Sequence, residues 1–299
     1  MSKAEAWRER YPFASRYLPT PSGRLHFVDE GPRDARPVLM VHGNPTWSFY
    51  YRELIELLRG TRRCLAWDHI GCGLSEKPEH IGGGLELHID IAQRLIDSLN
   101  LGSFDLAVHD WGGAIGLGLA ARMPERIGRI LIMNTAAFPS HRLPLRIRVC
   151  RWPGLGEFLL LRGNAFLRAA LRMAVRNRLE PEVISGYRFP FRKRSGRLAA
   201  LRFVRDIPMR EDHPSMPALR QVERGLAHLA DKPILICWGL RDFCFNRHFL
   251  EEWRNRMPEA EVMAFDNAGH WVLEDARLEV LRAARTFFNQ DLQAEASRR

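Results

Sequence analysis

Two hydrophobic periods alternate along the chain. Apolar runs of strand length fall at residues 25–28, 38–42, 64–68, 106–110 and 130–133. Most are apolar throughout rather than at every second position, which predicts strands buried on both faces of a parallel sheet with helices above and below. Between them Ile89, Ala92, Ile96 and Leu99 recur at helical spacing, and Asn100-Leu101-Gly102 supplies the residues that end such a helix. A second helix is predicted over 111–122. From about 138 to about 217 the strand pattern stops. That stretch is arginine-rich and helix-biased, interrupted by Pro139, Pro144, Pro153, Pro181, Pro190 and Pro208. Strands then resume at 234–238 and 262–265, followed by a closing helix at 277–288 and a tail after Asn289 that is expected to fray. An insertion between two halves of one sheet predicts a core domain of residues 1–138 and 218–299 and a helical cap of residues 139–217.

Composition narrows the class. A chain of 299 residues, 46% hydrophobic and 27% charged, can bury one large core and is not a disordered sequence. No stretch approaches the ~20 apolar residues of a membrane span, and the first 17 residues lack the apolar core of a signal peptide. The expectation is a cytoplasmic protein with no transmembrane segment. Cys64, Cys72, Cys150, Cys237 and Cys244 show no paired spacing, so reduced thiols are expected, with no zinc site or disulfide framework. The net charge of +10 is local: residues 141–220 hold 18 of the 45 basic residues and 6 of the 35 acidic ones. No nucleic-acid module accompanies them, so nucleic acid is not the expected partner. An arginine-rich solvated face, a lipid surface or an acidic protein partner remain open.

The candidate chemistry centres on Asp110. In Val108-His109-Asp110-Trp111-Gly112-Gly113 an aspartate stands at a strand-to-helix turn where a nucleophilic serine is usual. A carboxylate there attacks an electrophilic carbon or carbonyl and forms an ester or anhydride with the protein. Asp110 also fits a helix N-cap. Asp242 and His270 follow the strands at 234–238 and 262–265, giving the chain order nucleophile, acid, histidine at strand ends where open parallel sheets bind ligands. Asp266, Glu274 and Asp275 are rivals of Asp242, but a residue on the histidine's own loop seldom reaches its far ring nitrogen. Residues 134–137 offer no carboxylate. Asn44, in His42-Gly43-Asn44-Pro45, reads as a turn residue or as an amide donor that, with the Trp111 indole, holds a developing negative charge. Asp68 and His69 are assigned to a glycine-rich turn without catalysis, and His109 is expected to point away from the pocket. Trp152 and Tyr187 either meet substrate or pack.

These residues resemble the α/β-hydrolase superfamily over nearly the whole chain, and within it the haloalkane-dehalogenase-like branch. The resemblance implies an eight-stranded, mostly parallel sheet with a helical cap. It also implies a site of Asp110, His270 and Asp242 with Asn44 and Trp111 as anion-stabilising donors, and no metal or organic cofactor. A further resemblance is to the olefin-forming β-lactone decarboxylases of long-chain hydrocarbon biosynthesis. It is carried by Trp47-Ser48-Phe49-Tyr50-Tyr51-Arg52, Asp68-His69-Ile70-Gly71-Cys72-Gly73-Leu74-Ser75, Asn134-Thr135-Ala136-Ala137-Phe138 and Arg202-Phe203-Val204-Arg205-Asp206-Ile207-Pro208. It implies decarboxylation of cis-3,4-dialkyl β-lactones to cis-alkenes. The substrate would be hydrophobic, with long alkyl chains, and the basic cap, including Arg192, Lys193 and Arg194, would dock pathway enzymes or a lipid surface. The alternatives are a haloalkane dehalogenase, which the same five polar residues would serve, an epoxide hydrolase, for which Tyr187 is the evident cap tyrosine, and a non-catalytic receptor.

Overall fold

The computed structural model describes residues 6–290, so the frayed tail expected beyond them lies outside the described residues. One sheet runs through the molecule. Its strands are β1 (Arg16–Thr20), β2 (Gly23–Glu30), β3 (Pro37–Val41), β4 (Arg63–Trp67), β5 (Phe104–Asp110), β6 (Ile127–Thr135), β7 (Ile234–Gly239) and β8 (Glu261–Phe265). Their order is β1-β2-β4-β3-β5-β6-β7-β8. β2 pairs antiparallel with β1 and β4, and the other neighbours are parallel.

The apolar runs become this sheet because both faces are covered. Val38 and Met40 of β3 enter one hydrophobic cluster, and Leu39 and Val41 enter the other. The same alternation splits β7, with Leu235 and Cys237 on one side and Ile234 and Ile236 on the other. β1 carries no such run. It is a short, largely exposed edge strand held by its register on β2, Tyr17 opposite His26, and its residues give no apolar pattern to read.

The helices α1 (Arg52–Leu58), α2 (Gly84–Ser98) and α3 (Trp111–Arg122) flank the sheet. α2 stops where its sequence predicts. Asn100 turns left-handed (φ 48°), its N–H donates to Asp97 O, and the Leu101 N–H reaches back to Ile96 O, so the last carbonyls are satisfied.

Between β6 and β7 the chain forms a run of helices that includes Leu145–Cys150, Ala165–Met173, Pro181–Arg188, Arg194–Asp206 and Met216–Gly225. The N-terminal segment ties them down. Trp7 is buried against Trp47 of the loop after β3 and Phe189 of the helical run, with ring centroids 5.3 and 4.7 Å away. Among the described residues no helix is long and apolar enough to cross a membrane.

Candidate active site

Asp110 ends β5 and opens α3 with φ 53° and ψ −124°, a backbone conformation that aims its side chain outward from the strand end. Two contacts fix that turn. The Thr135 hydroxyl donates to the Asp110 carbonyl, and the Asn44 N–H donates to Asp110 Oδ1 at 2.6 Å. The glycines around it make room: a Cβ on Gly43 would lie 2.2 Å from Asp110 Oδ1, and one on Gly113 would lie 1.9 Å from Thr135 Oγ1.

His270 faces Asp110 from the loop after β8. Its Nε2 lies 3.5 Å from Asp110 Oδ2, and its Nδ1 lies 2.8 Å from Asp242 Oδ2. Asp242 is fastened in turn. Its Oδ2 accepts from Asn134 Nδ2 at 3.0 Å and its Oδ1 from the Cys244 N–H at 2.6 Å. Burial disfavours a charged imidazole, but the flanking carboxylates of Asp242 and Asp110 outweigh it and push His270 up to about 10. For Asp110 burial acts to raise the pKa, yet His270 and the Asn44 N–H hold it below its ordinary value.

The rivals of Asp242 are engaged elsewhere. Glu274 takes a bidentate ion pair from Arg52 at 2.7 and 2.9 Å, Asp275 accepts the Arg176, Asn177 and Gly269 N–H groups, and Asp266 is exposed beside Arg247. His109 turns away from Asp110, stacks on Tyr50 and lies with Nε2 2.9 Å from the His270 carbonyl. Burial, with the neighbouring His270 charge, lowers its pKa to about 3, so it is neutral and acts as a prop for the His270 backbone.

Asn44, Asp110, Trp111 and His270 share the floor of a cavity of about 360 Å³. Leu143, Ile147, Leu159, Phe166 and Val204 from the helical run supply apolar wall. The size is that of a small-molecule site. Asn44 Nδ2 donates to Ala200 O at 3.3 Å, which uses one of its two amide hydrogens. The Trp111 ring leans on Phe203, centroids 5.3 Å apart. Tyr187 is fully buried, donates to Glu274 and stacks on Trp271; it does not line the cavity. Trp152 is half exposed and does not line it either.

Asn134 and Thr135 are the residues that inspection of the sequence passes over. A search for carboxylates at 134–137 finds none, whereas the geometry uses an amide to anchor Asp242 and a hydroxyl to anchor Asp110. The signal was present as two polar residues directly after the apolar run 130–133.

The chain belongs to the α/β-hydrolase fold family, whose model matches residues 36–276. Within that family it is 43% identical over 286 residues to the cis-3-alkyl-4-alkyloxetan-2-one decarboxylase of Shewanella oneidensis, covering 93% of this chain and 89% of that protein. Haloalkane dehalogenase 2 of Mycobacterium bovis is 33% identical over 270 residues, covering 89% of this chain and 92% of its own. The crystal structure of a haloalkane dehalogenase loop variant, DbeA-M1 from Bradyrhizobium elkanii, matches with a TM-score of 0.84 at 27% identity over 96% of this chain and 100% of that one.

Proposed function

We propose that the protein is a β-lactone decarboxylase, converting cis-3-alkyl-4-alkyloxetan-2-ones to cis-alkenes and carbon dioxide. The observation that carries this is the 43% identity, along 93% of the chain, to a decarboxylase of that name. The identity to a dehalogenase over a similar span is 33%. The apolar cavity above Asp110 suits a substrate with two alkyl chains.

In this reading Asp110 is the nucleophile. Its carboxylate attacks ring carbon 4, a C–O ester bond to the protein forms, and the ring C–O bond breaks to release a carboxylate on carbon 3. The second amide hydrogen of Asn44 and the indole N–H of Trp111 receive that charge. The carbon 3 to carboxylate bond then breaks, its electron pair forms the alkene, and the bond to Asp110 breaks to restore the free carboxylate. Inversion in the first step and anti departure in the second give the cis-alkene from the cis-lactone. The sequence consumes no water and no net proton. His270, charged and oriented by Asp242, stabilises the Asp110 carboxylate as it leaves, and the apolar walls keep water from the ester. Residues 139–217 serve as the cap that supplies most of those walls, over a domain of residues 1–138 and 218–299.

The test is product analysis with purified protein given a long-chain cis-β-lactone and, separately, 1-bromoalkanes. Alkene formed in step with lactone loss is the expected result, abolished in Asp110→Ala with the fold retained. Rapid halide release with no alkene would overturn it in favour of dehalogenation.

A further inference from the structure

Six large hydrophobic side chains are exposed among the described residues, and four of them fall in one short stretch: Leu145, Trp152, Leu155 and Phe158. Residues 152–155 form an exposed tip, turned by Gly154 at φ 77°. Exposed arginines surround it. Arg142, Arg146, Arg148 and Arg162 are in the same segment, and Arg194 shares a surface depression with Gly154, Phe158 and Arg162. The segment's one carboxylate, Glu157, is ion-paired with Arg205, so it does not offset that charge.

This face adjoins the active-site cavity. Arg142 and Arg146 are exposed and also line the cavity, as do Leu143 and Pro144 between them and Ile147 just after, so the cavity opens where the segment meets solvent. Tryptophan, phenylalanine and leucine projecting among arginines is the composition of a surface that lies in a bilayer interface: the apolar groups enter the acyl boundary and the guanidinium groups meet anionic headgroups. An acidic protein would satisfy the arginines and cover the exposed apolar groups as well; the position of these groups in the same segment as residues lining an apolar cavity favours a lipid surface.

We propose that residues 142–158, with Arg162 and Arg194, form a docking face for an anionic lipid surface, setting the cavity mouth against the bilayer. Its use, entry of a lipid-dissolved substrate without passage through water, rests on the β-lactone reading; the docking itself does not.

The full chain is floated with phosphatidylcholine vesicles, with and without phosphatidylglycerol, at low and high salt. It should float with the anionic vesicles, lose that binding as salt rises, and bind little to phosphatidylcholine alone. Trp152→Ser with Phe158→Ser, and separately Arg148→Gln with Arg162→Gln and Arg194→Gln, should each lower the partition roughly tenfold or more. Both should melt as the parent does. They should turn over a short-chain β-lactone in free solution at the parent rate and lose rate on a long-chain lactone delivered in anionic vesicles. No flotation of the parent, or equal flotation of the variants, overturns the proposal. So does self-association that the variants dissolve without any vesicle binding, which would make the face a protein interface. Flotation that the variants lose, with no β-lactone turnover at all, keeps the docking face and removes the decarboxylase reading.

Discussion

Asp110 occupies a left-handed conformation that costs a non-glycine residue on the order of 1–3 kcal/mol. Thr135 and the close approaches permitted by Gly43 and Gly113 hold it there. His270 is a residue whose charge the site shifts strongly. Its pKa is raised from the ordinary 6.5 to about 10, so the stability it contributes is complete below 6.5 and is lost as pH rises through about 10. If the charged imidazole assists departure of Asp110, kcat/KM for the β-lactone should fall along an alkaline limb near 10. Asp242→Asn removes one of the two carboxylates that raise it and should move that limb toward neutrality by roughly 1–3 units. An unmoved limb in a folded variant would show that Asp242 does not govern His270. At this scale the titratable residues and Trp111 were legible as candidates, because carboxylate and imidazole at strand ends are rare enough to notice. Asn134 was not, since an amide acquires its role only from the carboxylate it faces.

The turn after β4 shows what an element can hide. Asp68-His69-Ile70-Gly71-Cys72-Gly73 reads as glycine-rich punctuation, and Gly73 does need its freedom: at φ 46° a Cβ would meet the Asp68 carboxylate at 2.1 Å. Asp68 is also a structural junction. Its carboxylate is bonded to His26 Nδ1 at 2.8 Å and accepts the N–H groups of Ser48 at 2.8 Å and Leu74 at 2.7 Å, joining β2, the loop before α1 and its own turn. Burial opposes its ionisation, but His26 and these donors hold its pKa well below the usual carboxylate range. The stability it supplies is therefore present at neutral pH and lost only as pH falls far into acid. Asp68→Ala leaves two backbone N–H groups without that acceptor, each worth about 1–3 kcal/mol when buried. A loss of about 3 kcal/mol or more is expected by denaturant titration. A change under 1 kcal/mol would mean that the turn closes by other bonds.

Across the whole molecule, a buried ion pair ties the helical run to the sheet. Arg52, at the start of α1, is 3% exposed and pairs with Glu274 of the segment after His270, while Tyr187 of the Pro181–Arg188 helix donates to the same carboxylate. Glu274 is held below its ordinary pKa by Arg52 despite burial that would raise it. Arg52→Met strands a buried carboxylate and is expected to cost about 3–5 kcal/mol, read as a lowered denaturation midpoint. The Arg52→Met, Glu274→Met double variant should recover much of that loss. No recovery would assign the cost to packing against Phe49, whose ring lies 4.5 Å from the guanidinium.

The sequence by itself determined the parallel sheet, the interruption after β6 and the α/β-hydrolase kinship, and it singled out Asn44, Asp110, Trp111, Asp242 and His270 as candidates, because period, run length and motif spacing are local properties of a chain. Tertiary structure decided the rest: that Asp242 rather than Asp266, Glu274 or Asp275 meets His270 Nδ1, that Asn134 and Thr135 brace the site, and that Tyr187 packs on Trp271 instead of facing the cavity. It also brought exposed apolar side chains and arginines to one rim. Those facts depend on which distant residues share a few ångströms, and hydrogen-bond partners, burial and pKa exist only once the chain has brought them together.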